Sequence, residues 1–284
     1  MGESADIFRF KKFDIINERS AMKVNTDGVL LGAAMTITSE DRHLLDIGTG
    51  TGTIALMAAQ RVLGIPGQAG NDVMEAGNDV VEVVNDGGEV WKGGAEIGNN
   101  GREAGNDVVV DAIDIDGPSA EEADANFRNS PWSGHMRAVN MSLEDFAEAE
   151  DGRYDMIFSN PPYFEDSMVA PDERKSTARH TSEGLSYRDI FEFAAERLTD
   201  GGRVSLVLPS DQETAVCRYA RMCGLHLYRI LRIRTVPRKS PIRIIVEFSR
   251  RRTETPEDSV LTIQNEGKYT QEYLSLTKDF YLFA

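Results

Sequence analysis

The sequence predicts an α/β protein, a doubly wound and mainly parallel sheet. Two observations carry that expectation. Short apolar runs alternate along the chain with segments of helical periodicity, and the first clear strand enters a helix through a glycine-rich turn, the opening of a βαβ unit. Length agrees, since 284 residues bury a real core as one large domain or two small ones.

The elements follow in order. "HLLDIG", His43 to Gly48, is a strand, and "TIALMAAQRV" is a helix in which Ile54, Ala55, Ala58, Ala59 and Val62 share one face. The pattern then lapses from Ile65 to Asp107. "AGNDV" recurs there at Ala69, Ala76 and Ala104, and nine acids stand against two bases. Unequal spacings do not make a solenoid, and the composition is that of a solvated, disordered insertion. An acidic loop with its own function is the alternative. Regular structure resumes with the strand "VVVDAID" and a helix from Pro118 to Asn129, with proline in its first turn. "MRAVNM" and "YDMIFSN" are short strands. "SYRDIFEFAAERL" places Ile190, Phe191, Ala194, Ala195 and Leu198 on one helical face, closed by "DGG". "RVSLVLPS" is a buried strand, and "DQETAVCRYARMCG" a helix with Asp211 as N-cap and Gly224 as C-cap. "LHLYRILRIRTV" and "IRIIVEFSR" supply the last strands.

Composition excludes several classes. A net charge of −16 argues against wholesale basic binding of nucleic acid, although it leaves local patches open. Cys217 and Cys223 have neither zinc nor redox spacing and read as reduced thiols. His43, His135, His180 and His226 form no local ligand set, so no metal is expected. No apolar run approaches membrane-spanning length, "MGESADIFRFKKF" lacks the apolar centre of a signal peptide, and Asp6 breaks the myristoylation pattern. The expected location is the cytoplasm.

The turn "DIGTGTG" carries Gly48, Gly50 and Gly52 after Asp46. Glycine lets backbone amides approach a ligand, and a helix N-terminus offers oriented donors. Tight strand–helix turns also use glycine without a ligand. The spacing is not G-x-G-x-x-G, which disfavours NAD. In such folds a carboxylate about 20 residues past the glycines, at the end of the next strand, takes the ribose hydroxyls. Asp114 lies 62 residues past Gly52; without the 43 residues from Ile65 to Asp107 the separation is 19. That arithmetic supports both the insertion and Asp114 as ribose ligand. Asp116 is the rival, and a solvated strand end is the plain alternative.

"FSNPPYF" follows the apolar run "YDMIF" and frames two prolines with Asn160 and Tyr163. A turn needs neither flanking residue. Together "DIGTGTG", "DAIDID" and "SNPPYF" resemble the class I S-adenosylmethionine-dependent methyltransferases that carry an Asn-Pro-Pro-Tyr motif. The resemblance implies a Rossmann-like, seven-stranded, mainly parallel sheet with one antiparallel strand, and S-adenosylmethionine as cofactor. It implies that the Asn160 side-chain oxygen and the Pro161 carbonyl accept hydrogen bonds from a planar amine, that Pro162 stiffens the loop, and that Tyr163 stacks on the base. Asp46, Gly48, Gly50, Gly52 and Asp114 are the candidate cofactor contacts.

The motif alone serves adenine-N6 and glutamine-N5 methyltransferases alike. Longer stretches separate them. "FRFKKFDIINERSAMKVNTDGVLLGA", "ARHTSEGLSYRDI", "VPRKSPIRIIVEFSR" and "EYLSLTKDFYLFA" resemble the bacterial tRNA1(Val) adenine-37 N6-methyltransferase family. The resemblance spans nearly the whole chain except 65–107, and implies a single domain over 1–284 whose segment 1–42 covers the cofactor. Lys23, Thr26 and Asp27 become cofactor candidates, with a solvated lysine as the alternative for Lys23. Glu144 and Asp145, after the third strand, are candidates for holding the cofactor's adenine or simply loop acids. Between Arg229 and Arg252 nine bases stand against the single acid Glu247, as expected of a tRNA-phosphate face or of a solvated strand face. Arg174, Lys175, Arg179 and His180 are placed to guide a flipped nucleotide. The rival functions are a glutamine-N5 protein methyltransferase and a non-catalytic cofactor-binding module that docks on RNA.

Overall fold

The computed structural model describes residues 6–64, 108–162 and 184–283. The insertion expected at 65–107 lies outside the described residues, as do Tyr163, Arg174, Lys175, Arg179 and His180. The chain opens with an antiparallel hairpin, β1 (Ile7–Arg9) and β2 (Asp14–Ile16), followed by α1 (Thr26–Ala34). Next come β3 (His43–Ile47), α2 (Thr53–Leu63), β4 (Val109–Asp114), α3 (Gly117–Arg128), β5 (Met136–Asn140), α4 (Leu143–Ala149) and β6 (Tyr154–Ser159). The last part holds α5 (Tyr187–Arg197), β7 (Leu198–Pro209), α6 (Glu213–Met222), β8 (His226–Arg234), β9 (Arg243–Ser249) and β10 (Glu257–Thr262). A small hairpin, β11 (Gln264–Asn265) and β12 (Lys268–Tyr269), leads to α7 (Gln271–Thr277).

The central sheet runs β10-β8-β9-β7-β6-β3-β4-β5, and only β9 is antiparallel to its neighbours. The seven-stranded arrangement expected from the resemblance is therefore present, with β10 added as an eighth strand beside β8. β3 shows why the centre is stable. Leu44 packs into the layer of α1 and α2, while Leu45 and Ile47 point into the opposite layer with Ile190 and Phe191 of α5. A strand buried on both faces reads as a continuous apolar run, and each such side chain contributes about 1.5–3 kcal/mol by leaving water.

Two helix ends depart from the expected pattern. Asp211 does not cap α6; it lies in a 3₁₀ turn, Ser210–Gln212, and the cap position falls to Gln212 without a side-chain bond. The tighter turn arises because Ser210 is tied to the start of β9, its N–H donating to Ile242 O and its hydroxyl to Pro241 O. At the other end Cys223 takes the cap position and Gly224 the next, with φ +77°. The Gly224 N–H donates to Arg221 O and that of Leu225 to Ala220 O, which satisfies the last carbonyls of the helix. The "DGG" after α5 is absorbed into β7: Tyr154 pairs with Leu198 and Met156 with Arg203, so the residues between bulge outward.

Parallel strands gather their carboxyl ends on one edge. Ile47, Asp114, Asn140, Ser159 and Pro209 end β3, β4, β5, β6 and β7 there, the edge at which open α/β sheets bind ligands.

Candidate active site

The glycine turn is built by backbone geometry that other residues avoid. Gly48, Gly50 and Gly52 adopt φ of 71°, 57° and 80°. A Cβ on Gly52 would stand 2.5 Å from the Phe127 ring, so this position tolerates no side chain. The turn is fastened to β4, where the N–H groups of Gly48 and Thr49 both donate to Ile113 O.

Two carboxylates flank it. Asp46 is fully buried; its Oδ2 accepts from Thr49 Oγ1 at 2.8 Å, and among the described residues its Oδ1 has no close hydrogen-bond partner. Burial, reinforced by the nearby charge of Asp114, pushes its pKa up to about 7. Asp114, at the end of β4, accepts from Gly50 N–H through Oδ2 and from Asp116 N–H through Oδ1, each at 2.9 Å. Burial raises its pKa, opposed by those two amides. Its rival Asp116 is committed elsewhere, capping α3 by accepting from the Ser119 N–H and hydroxyl. Ile115, between them, leaves 76% of its surface exposed, a bare apolar side chain beside the Asp114 carboxylate.

The N-terminal segment crosses over this turn and is laced to α3. Glu122, itself buried, accepts from the N–H groups of Glu18, Arg19 and Ser20. Asn126 accepts from Ile16 N–H and donates to both Ile16 O and Thr51 O, so one side chain joins the segment to the glycine turn. Asn25 then caps α1 by accepting from Gly28 N–H. Lys23 donates to Asn17 O at 2.5 Å. Asp27 pairs with Arg243 across to β9, and Thr26 is exposed.

Asn160 and Pro161 follow β6 directly and are both buried. The preceding Ser159 hydroxyl donates to Ile47 O at 2.6 Å, which sets the end of β6 against the glycine turn. The Asn160 amide Nδ2 lies 3.5 Å from the Met22 sulfur. A cavity lined by Met22, Lys23, Asn25, Gly48, Gly50 and Asn160 joins the three segments. The structure thus brings together Asn160, Gly48, Gly50 and Lys23, with Asp114 and Asp46 bonded to the turn from beneath. Thr26, Asp27 and Glu144 do not line the cavity; Glu144 is exposed in the first turn of α4, whose cap Ser142 is also bonded to Asp145. Sequence reasoning missed Met22, Ile115, Glu122 and Asn126. The signal for the last two was present: Ser119, Glu122 and Asn126 form a polar stripe at helical spacing on α3.

The basic stretch divides in three. Arg229 pairs with Glu247 and Glu257, Arg232 with Glu213 and Asp258, and Arg243 with Asp27, while Arg234 donates to Thr262. Arg238 and Lys239 are exposed on the turn after β8, at the carboxyl edge. Arg250, Arg251 and Arg252 are exposed at the opposite end of β9. Among the described residues no cluster of three His, Cys, Asp or Glu suits a metal ion, and no helix is long and apolar enough to cross a membrane.

A sheet with one antiparallel strand, a glycine turn at its carboxyl edge and an Asn-Pro-Pro end to the adjacent strand define a class I S-adenosylmethionine-dependent methyltransferase. Residues 31–221 match the family model described as the RMKL-like methyltransferase domain. The fold is shared with a solved structure, a predicted O-methyltransferase from Agrobacterium tumefaciens, at a TM-score of 0.54 and 17% identity, covering 89% of this chain and 96% of that one. A tRNA1(Val) (adenine(37)-N6)-methyltransferase of Parabacteroides distasonis is 34% identical over 97% of this chain and 97% of its own length. One of Bacteroides fragilis is 32% identical over 98% of this chain and 99% of its own. The chain belongs to the tRNA1(Val) (adenine(37)-N6)-methyltransferase family.

Proposed function

We infer that the protein transfers a methyl group from S-adenosylmethionine to the exocyclic N6 of adenosine 37 in tRNA1(Val). The observation that carries this is the placement of Asn160, buried at the end of β6 and opening on the cavity beneath the N-terminal segment.

The residues present fit the cofactor. The Asp114 carboxylate stands where ribose hydroxyls need an acceptor, and the exposed Ile115 offers an apolar surface for a purine. The left-handed glycines leave room for close backbone approach. Asp46 Oδ1, buried and without a close partner among the described residues, is an acceptor suited to a cation. Lys23 lines the cavity from the covering segment; Thr26 and Asp27 of that segment, and Glu144 of α4, stand outside its lining. S-adenosylmethionine supplies an electrophilic methyl on a cationic sulfur.

The chain's own work is orientation. An adenine N6 lone pair is delocalised into the ring, and carbonyl acceptors on both amino hydrogens favour its pyramidal, nucleophilic form. The Asn160 side-chain oxygen and the Pro161 carbonyl would be those acceptors, placed to stabilise the positive charge that N6 acquires on methylation until its surplus proton passes to solvent. Tyr163, beyond the described residues, stacks on the base, worth about 1–3 kcal/mol. No strong base is required, because holding the reactants in line itself lowers the barrier. Among the described residues, His43 and His226 begin strands and His135 directly precedes one, so these three lie at amino ends, away from the cavity; His180 lies outside the described residues.

Within the basic stretch 229–252, the cations not paired with carboxylates are the ones open to tRNA phosphates, with 174–180 guiding the target nucleotide, and the protein acts in the cytoplasm. The chain is one methyltransferase domain in which 65–107 is a spacer.

The test incubates the protein with radiolabelled S-adenosylmethionine and unmodified tRNA, then digests to nucleosides. Label is expected in N6-methyladenosine and lost in Asn160→Ala, which retains cofactor binding. Label on a protein acceptor would make it a glutamine-N5 methyltransferase, and binding without transfer a docking module.

A further inference from the structure

An RNA approaching this protein meets a net charge of −16, so its phosphates need a local counter-field. The stretch with most cations supplies little of it near the cavity. Arg229, Arg232 and Arg243 are neutralised by carboxylates drawn from other elements. Arg250 to Arg252 lie at the far end of β9, where seven residues of strand separate them from the carboxyl edge, a distance of about 24 Å at ~3.4 Å per residue.

What remains at that edge is the connection between β8 and β9, "TVPRKSPI" at 235–242. Arg238 and Lys239 are exposed, and neither side chain has a hydrogen bond or ion pair among the described residues. Their mount is rigid. The Lys239 N–H donates to Val236 O, closing a turn with Pro237 at its second position. Arg234 Nη1 donates to Pro237 O at 3.1 Å. At the other side Ser210, at the end of β7, bonds Ile242 O and Pro241 O. Two prolines, a bracing guanidinium and a serine thus hold two charged heads above the sheet.

The turn also stands in the right place. β7 is hydrogen-bonded to β6, with Ser159 opposite Leu206, and continues to Pro209, which pairs with Arg243. It therefore overhangs Asn160 by about three residues, roughly 10 Å, and sits two to three strands, about 10–15 Å, to its side. That is the reach of phosphates a few nucleotides from a base held at Asn160.

We propose that the Pro-flanked turn 235–242 is the phosphate clamp that positions the substrate RNA, with Arg238 and Lys239 as its contacts and the rest of the basic stretch structural or uninvolved. This rests on the tRNA reading above. The test compares wild type, Arg238→Ala/Lys239→Ala and Arg251→Ala/Arg252→Ala for tRNA affinity across salt concentrations, for KM and kcat, and for cofactor affinity by calorimetry. The turn variant should raise the tRNA KM about tenfold with kcat and cofactor affinity unchanged. Its log affinity should fall less steeply with log salt, by about 1.4 for two single-strand phosphates. The Arg251/Arg252 pair should match wild type. A turn variant with wild-type KM and salt slope, or an Arg251/Arg252 variant equally impaired, overturns the clamp. Wild type that binds tRNA in a turn-dependent way yet transfers nothing overturns the catalytic reading and leaves the clamp standing; wild type that binds no tRNA overturns both.

Discussion

Asp46→Asn isolates the electrostatics beneath the glycine turn. The unfolded chain ionises this carboxyl at its ordinary value, 3.8, and the folded protein at about 7, because burial opposes the charge and Asp114 adds to the cost. Between those pH values the folded protein holds a proton that the unfolded chain has released. Stability therefore falls as pH rises through the window, and the loss is complete above 7. At about 1.4 kcal/mol per pH unit the whole effect is roughly 4 kcal/mol, of which about 3 kcal/mol falls between pH 5 and 8. The asparagine variant keeps an acceptor for the Thr49 hydroxyl and removes the titration. Urea unfolding of both proteins at pH 5 and pH 8 gives the double difference directly, since every other titrating group is common to the pair. Wild type should lose about 3 kcal/mol more than the variant. Parallel pH dependences would show that Asp46 is solvated, and the account of a desolvated carboxylate under the turn would be wrong.

Asp114→Ala should weaken cofactor binding while the protein stays folded, and unchanged affinity by calorimetry would remove its ribose role. Gly52→Ala forces a Cβ against Phe127 at a φ of 80°; overpacking and left-handed strain together predict a loss of about 2–5 kcal/mol in urea unfolding. Glu122→Gln turns an amide group toward the three backbone N–H donors of 18–20. It should cost about 2 kcal/mol, open that segment to proteolysis and raise the KM for cofactor; an unchanged digestion pattern would count against the lacing. Deleting 65–107 should leave methyl transfer nearly intact, and a folded but inactive deletion would refute the spacer reading.

The parts legible in the sequence are those whose chemistry is local. The glycine turn, the strand before it and the helix after it are contiguous, and Asp114 could be placed once 65–107 was set aside. The Asn160 motif follows its strand directly. What escaped depends on partners distant in the chain. β10 buries only its last two residues, Leu261 and Thr262, so its edge position leaves no alternating pattern to read. Nine cations against Glu247 looked like one face, but two antiparallel strands send their ends to opposite edges, and the neutralising acids are Asp27, Glu213, Glu257 and Asp258. Glu247 itself is fully buried, accepting from the Thr36 N–H at 3.0 Å and from Arg229. The one acid in the basic run is therefore a buried structural group, held by the link between α1 and β3.

If orientation rather than a base carries the reaction, the decisive structural quantity is the rigidity with which three separate segments face one another. α3 supplies much of it. Its first turn is capped by Asp116, two residues after the Asp114 carboxylate that holds Gly50. Its middle carries Glu122, which fixes 18–20, and Asn126, which bonds Ile16 and Thr51 together. Its Phe127 ring fills the space under Gly52. The segment so held delivers Met22 to the Asn160 amide. Misplacement by about 1 Å in such a constellation costs on the order of a hundredfold in rate. This explains why buried polar residues, each costly without partners, occupy a helix that contributes no residue to the cavity lining.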